Sequence, residues 1–116
     1  MIKRNLYLCF VGLLLTSQAF AHAMLENSVP ANKSVLFMAP KAIELQFGHI
    51  TKLTKLTLVY SGQEIPLNID LSATPSKSFS IPLPSLRSGN YQVKWSSLAS
   101  DGHAMTGNFT FSFDKH

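Results

Sequence analysis

The chain has a single cysteine, Cys9, among its 116 residues, and that one lies in an apolar N-terminal stretch. The stretch follows a basic start (Lys3, Arg4), runs from Leu6 to Leu15, and leads to Ala19-Phe20-Ala21. This is the three-part layout of a secretory signal, with small residues where a peptidase reads them. Residues 1–21 are therefore expected to be cleaved, leaving residues 22–116 as one exported domain. That domain has no thiol and can form no disulfide, which excludes zinc fingers and cysteine redox chemistry. Its core must hold without a covalent staple, which is unusual for a small exported domain.

Other features are equally scarce. The apolar run of the leader is shorter than the roughly 20 residues a membrane span needs, and no second run follows it, so a soluble mature chain is expected. Charged residues make up only 14% of the sequence. Once Lys3 and Arg4 leave with the leader, eight basic side chains face six acidic ones. They are scattered, without clusters or interleaved aromatics, which argues against nucleic acid as a partner. Helical periodicity is nearly absent as well.

Alternation takes its place. Ile43–Phe47, Leu56–Tyr60, Tyr91–Trp95 and Phe109–Phe113 each repeat apolar residues with period two, as strands half-buried against a core do. Ser61-Gly62-Gln63 suggests a hairpin turn. Val29–Asn32 and Arg87–Asn90 read as loops, and Gly62 and Ser72–Ser78 as the mobile ones. Pro82 and Pro84 point to an edge strand or a bulge, because proline donates nothing to a ladder. The expected fold is all-β: a small antiparallel Greek-key sandwich or barrel. Trp95, Phe47, Phe109, Phe111 and Phe113 are expected in its core.

Cleavage after Ala21 would make His22 the first residue of the mature chain. A histidine in that place carries a free α-amine and a ring Nδ1, which can chelate one metal ion. Asp101-Gly102-His103 supplies a carboxylate and a second imidazole. In an extended segment those two side chains would share a face, and Gly102 permits whatever turn the site requires. Amine, imidazole and carboxylate donors form the N,O set that suits Cu(II). An Asp-Gly-His run alone is an ordinary surface turn; the conjunction with His22 in a cysteine-free exported domain favours a metal site.

Ser28-Val29-Pro30-Ala31, Pro40–Phe47, Gly89–Trp95 and Ser100–Phe111, with His22 ahead of them, resemble the CopC family of periplasmic copper-resistance proteins. The likeness covers essentially the whole mature chain, and the last stretch is similar to that family's S-x-D-x-H-x-x-x-G-x-x-x-F pattern. The resemblance implies a cupredoxin-like or immunoglobulin-like β-sandwich in the periplasm. It also implies a Cu(II) site at His22, Asp101 and His103, and a CopD-type inner-membrane protein as partner. Two departures stand out. Tyr60–Pro75 contains no methionine, so the Cu(I) site of methionine-rich members does not carry over. Phe47-Gly48-His49 replaces F-S-E, which makes His49 a lesser candidate ligand. Met24, Met38 and Met105 are expected as core or rim filling, and His116 as a frayed end.

The expected role is sequestration or delivery of Cu(II), without catalysis. Ser96, Ser97 and Ser100 have no histidine and acid arranged around them as in a hydrolase. An N-terminal-histidine copper monooxygenase is the rival reading, opposed by the small size and by an aspartate where oxygen chemistry needs an open position. A purely structural β-sandwich is the third.

Overall fold

The computed structural model describes residues 25–71 and 74–114. The expected leader, His22, Met24 and His116 lie outside the described residues. Among the described residues there is no helix. The strands are β1 (Leu25–Val29), β2 (Ser34–Leu36), β3 (Ala42–Tyr60), β4 (Gln63–Ile65), β5 (Ser76–Pro82), β6 (Gly89–Ala99) and β7 (Ala104–Phe113).

Strand β3 organises the architecture. The sequence reads as two strands here, at 43–47 and 56–60, and the structure joins them into one of 19 residues. Its first half pairs with β1 and β5, its second half with β6 and β4. Thr51 pairs with both Ser76 of β5 and Ala99 of β6, where one set of neighbours gives way to the other. Buried positions run Ile43, Leu45, Phe47, Thr51 and Leu53, then shift phase to Leu56 and Leu58. The slip coincides with a register shift between Leu53 and Lys55. One extra residue, Thr54, is absorbed there as a bulge, so the apolar side stays on the core. Strict alternation breaks at such a point, and a bulged strand therefore looks like two.

The sheet order is β1-β3-β6-β7-β2, with β4 and β5 also on β3. The all-β expectation holds, and the sheet curls on itself as a half-barrel. Every pairing is antiparallel except β2 with β7, which is parallel. Curling brings Ile43, Leu45 and Phe47 and Ile81 of β5 into one cluster with Tyr91, Val93, Trp95, Phe109 and Phe111. The Phe47 ring meets Trp95 edge-on at 5.2 Å and Phe79 at 5.9 Å. Such pairs add about 0.5–1.5 kcal/mol each beyond area burial. All five expected core aromatics are buried, at 1–3% exposure.

Local chemistry explains the joints. Tyr60 pairs with Gln63, so Ser61 and Gly62 form a two-residue turn with φ of 50° and 79°, the hand that hairpin twist favours. Proline suits β5 because that strand has β3 as its one neighbour among the described residues. At the entry to β6, the Tyr91 hydroxyl donates to the Arg87 carbonyl at 2.6 Å, a tyrosine corner of the immunoglobulin type. Burial pushes that phenol's pKa up. Two expectations are corrected. Ser76–Ser78, read as a loop, begins β5 against β3. Met38, expected to fill core or rim, is 82% exposed, whereas Met105 does pack against the core.

Candidate metal centre

Strands β6 and β7 pair as far as Leu98 and Ala104, and the connection between them carries Asp101 and His103. The Ala99 N–H donates to the His103 carbonyl and the Gly102 N–H to the Ala99 carbonyl, both at 2.9 Å. Gly102 has φ of 93°, a conformation that costs a side-chain-bearing residue strain. The segment is thus a tight turn and not the extended stretch considered from the sequence.

That turn brings the two side chains into direct contact. Asp101 Oδ1 accepts the His103 backbone N–H at 3.0 Å, and Oδ2 lies 2.9 Å from His103 Nδ1. An ionised carboxylate only accepts hydrogen bonds, so Nδ1 is the protonated ring nitrogen. Nε2 then carries the lone pair available to a ligand. Both side chains are open to solvent, His103 at 76% and Asp101 at 64%. The Asp101 carboxyl is held below its ordinary value, chiefly by the backbone N–H of His103 and next by its ring.

His49 is exposed on β3, two residues before Thr51, which pairs with Ala99 at the start of the turn. It therefore lies, along β3, near the end of β6 that leads into the Asp101–His103 turn. Strand β1 begins with Leu25 opposite Phe47. Among the described residues no three His, Cys, Asp or Glu side chains group to hold a metal. Asp101 and His103 form a pair, and the third expected donor, His22, lies outside the described residues.

One feature beneath the turn escaped the sequence reading. Thr51, midway along β3, and Ser97, near the end of β6, face the core, and neither hydroxyl finds a hydrogen-bond partner among the described residues. A serine or threonine at an inward phase of an alternating strand is the signal that marks such positions.

A family model described as the CopC domain matches residues 25–114. The chain is 32% identical to copper resistance protein C of Escherichia coli over 105 residues, which is 81% of this chain and 82% of that protein. It is 33% identical to protein YobA of E. coli strain K12 over 109 residues, covering 85% and 84%. Among solved structures, it is similar to PcoC, a methionine-rich copper resistance protein from E. coli. There the TM-score is 0.66 at 33% identity, covering 81% of this chain and 100% of that one. CopC from Methylosinus trichosporium OB3b gives a TM-score of 0.68 at 25% identity, covering 82% and 96%. With the half-barrel, the Asp-Gly-His turn and these likenesses together, the chain belongs to the CopC family.

Proposed function

We propose that the processed protein binds one Cu(II) ion in the periplasm through His22, Asp101 and His103, and sequesters or delivers it without acting as an enzyme. The observation that carries this reading is the carboxylate-anchored imidazole on the exposed β6–β7 turn. A carboxylate on Nδ1 orients a metal-binding histidine and raises its basicity, which leaves Nε2 as the donor. Nδ1 and Nε2 open on nearly opposite sides of the ring, so Asp101 reaches an ion held at Nε2 only by exchanging its bond to Nδ1 for the metal.

His22 supplies the α-amine and a second imidazole once the leader is removed. Three residue steps lead from it to Leu25, a reach of about 10–11 Å at most, and Leu25 begins β1 opposite Phe47, four residues along β3 from the Thr51 that pairs with Ala99. The donor set is the N,O kind that copper prefers among divalent ions. His49 is close enough along the sheet to be kept as a supplementary donor or outer-sphere group. Within this reading, a CopD-type membrane protein is the recipient or source of the ion. The copper-resistance relatives support a copper-related role, and the absence of methionine from Tyr60–Pro75 sets this chain apart from a methionine-rich relative.

Titration of the processed protein with Cu(II) against a competing chelator tests the proposal. One tight equivalent, lost in His103→Ala, is expected. The absence of saturable binding, or binding indifferent to His103, overturns it.

A further inference from the structure

We propose that the outer face of β3, β6 and β7 is a docking surface for anionic lipid headgroups. Alternation fixes which side chains stand on this face. Leu56 pairs with Trp95 and Leu58 with Val93, all buried, so the intervening positions point away from the core. Lys52 stands opposite Leu98, Lys55 opposite Ser96, and Lys94 between Thr57 and Asn108. All three lysines are exposed, and none forms an ion pair among the described residues.

Lysine outnumbers unengaged carboxylate on this face. One carboxylate, Glu64, lies beside the lysine face, on β4, and Asp101, at its end, is engaged by His103. The outer side of the β1-β3-β5 region carries Glu44 between Val29 and Ser80, with no lysine opposite it. Beside Lys52, two aliphatic side chains break the polar surface: Ile50 is 53% exposed and Leu98 42%. Lysines that meet headgroup charge, next to aliphatic side chains that enter the headgroup layer, are the combination a peripheral lipid contact uses. Between the lysines the face is a ladder of Thr57, Ser96, Thr106 and Asn108. The exposed Ile50 and Leu98 beside Lys52 give a headgroup layer apolar side chains to take up, which an acidic polar protein surface would leave unmatched, and this favours lipid as the occupant. Docked this way, the domain holds the Asp101–His103 turn beside the membrane surface. This inference does not depend on copper binding.

The test uses metal-free, processed protein in co-sedimentation with phosphatidylcholine vesicles prepared with and without phosphatidylglycerol. Binding is expected with phosphatidylglycerol only, and should weaken as salt screens the lysines. Replacing Lys52, Lys55 and Lys94 by Gln should weaken it by roughly fivefold per lysine, about a hundredfold for all three. A second triple variant, Lys41→Gln, Lys77→Gln and Arg87→Gln, removes the same charge from elsewhere and should retain most of the binding. Equal losses in the two triples would mean that net charge alone acts, and would overturn the proposal. So would the absence of vesicle binding. Lysine-dependent retention on polyglutamate without vesicle binding would assign the face to an acidic protein instead.

Discussion

Asp101 holds His103 at two points, its Oδ1 on the backbone N–H at 3.0 Å and its Oδ2 on ring Nδ1 at 2.9 Å. The first bond is turn chemistry of the kind aspartate makes with the residue two ahead. The second decides which ring nitrogen faces outward. One carboxylate therefore couples backbone shape to the donor that the site presents, and the two functions can be separated by mutation.

Asp101→Asn is the separating change. Its side-chain oxygen can still accept the backbone N–H, but its amide group then faces Nδ1 with donors. The ring is driven to carry its proton on Nε2, the nitrogen needed for the metal. Copper affinity is expected to fall by more than the roughly 10–100-fold that loss of an outer-sphere partner costs, because the variant also gives up a carboxylate donor, while the melting temperature of the copper-free protein changes little. Chelator competition and thermal melts on the same samples measure both. Unaltered affinity in Asp101→Asn would mean that the tautomer does not matter.

His103→Ala should cost more copper affinity than His49→Ala. His103 is fixed by a carboxylate on the turn, whereas His49 only stands on β3 near the end of β6. The loss at His103 should exceed the roughly 10–100-fold expected of an outer-sphere group, and the loss at His49 should stay within it. Parallel competition titrations rank them, and the reverse order would displace His103 from the site.

Much of this was legible before the structure. Period-two runs located the cores of β3, β6 and β7, and the five core aromatics followed from them. What the sequence concealed was long-range. The bulge at Thr54 disguises β3 as two strands, because local alternation carries no information about register with β6. Strand β2 is three residues long and pairs in parallel with β7, too short for any periodicity. At the site, the spacing of Asp101 and His103 flagged the pair but suggested side-by-side ligands. Their direct hydrogen bond depends on the left-handed Gly102, which a spacing argument cannot reveal.

Gly107→Ala should destabilise the fold without touching the ligands. Gly107 pairs with Trp95, and a Cβ there would sit 2.5 Å from Trp95 Cζ2. The indole has little room to retreat, being 3% exposed and edge-on to Phe47. Overpacking of this kind costs about 1–3 kcal/mol. Urea unfolding of the copper-free protein checks it; a change below a few tenths would show that Trp95 yields freely.

An added residue ahead of His22 should weaken Cu(II) binding strongly. It moves the α-amine off the histidine and opens the chelate that the amine and ring Nδ1 form together. Processed protein and a form extended by one glycine are compared in the same chelator competition. Equal affinities would remove the amine from the donor set.

Copper should stabilise the fold, and that stabilisation should vanish in acid for a reason other than Asp101. Hydrogen bonds from His103 lower the Asp101 pKa from 3.8. A carboxyl lowered in the folded state adds stability above its unfolded value, and gives it up only as pH falls through the still lower folded value. Asp101 thus remains ionised, with the turn intact, down to about pH 4.5, still above the aspartate reference near 3.9. The competing protons belong to the amine and imidazoles, with reference values of about 7.7–8.0 and 6.5, and copper must displace them. A ligand that binds only the native state adds about 2.7 kcal/mol at a hundredfold excess over Kd. Melting curves with and without one equivalent of Cu(II) should therefore differ clearly at about pH 7.5 and nearly coincide by about pH 4.5. The copper-free curves should move far less across that interval. A copper shift that persists undiminished in acid would place carboxylate or thioether donors, and not His22 and His103, in control of the site.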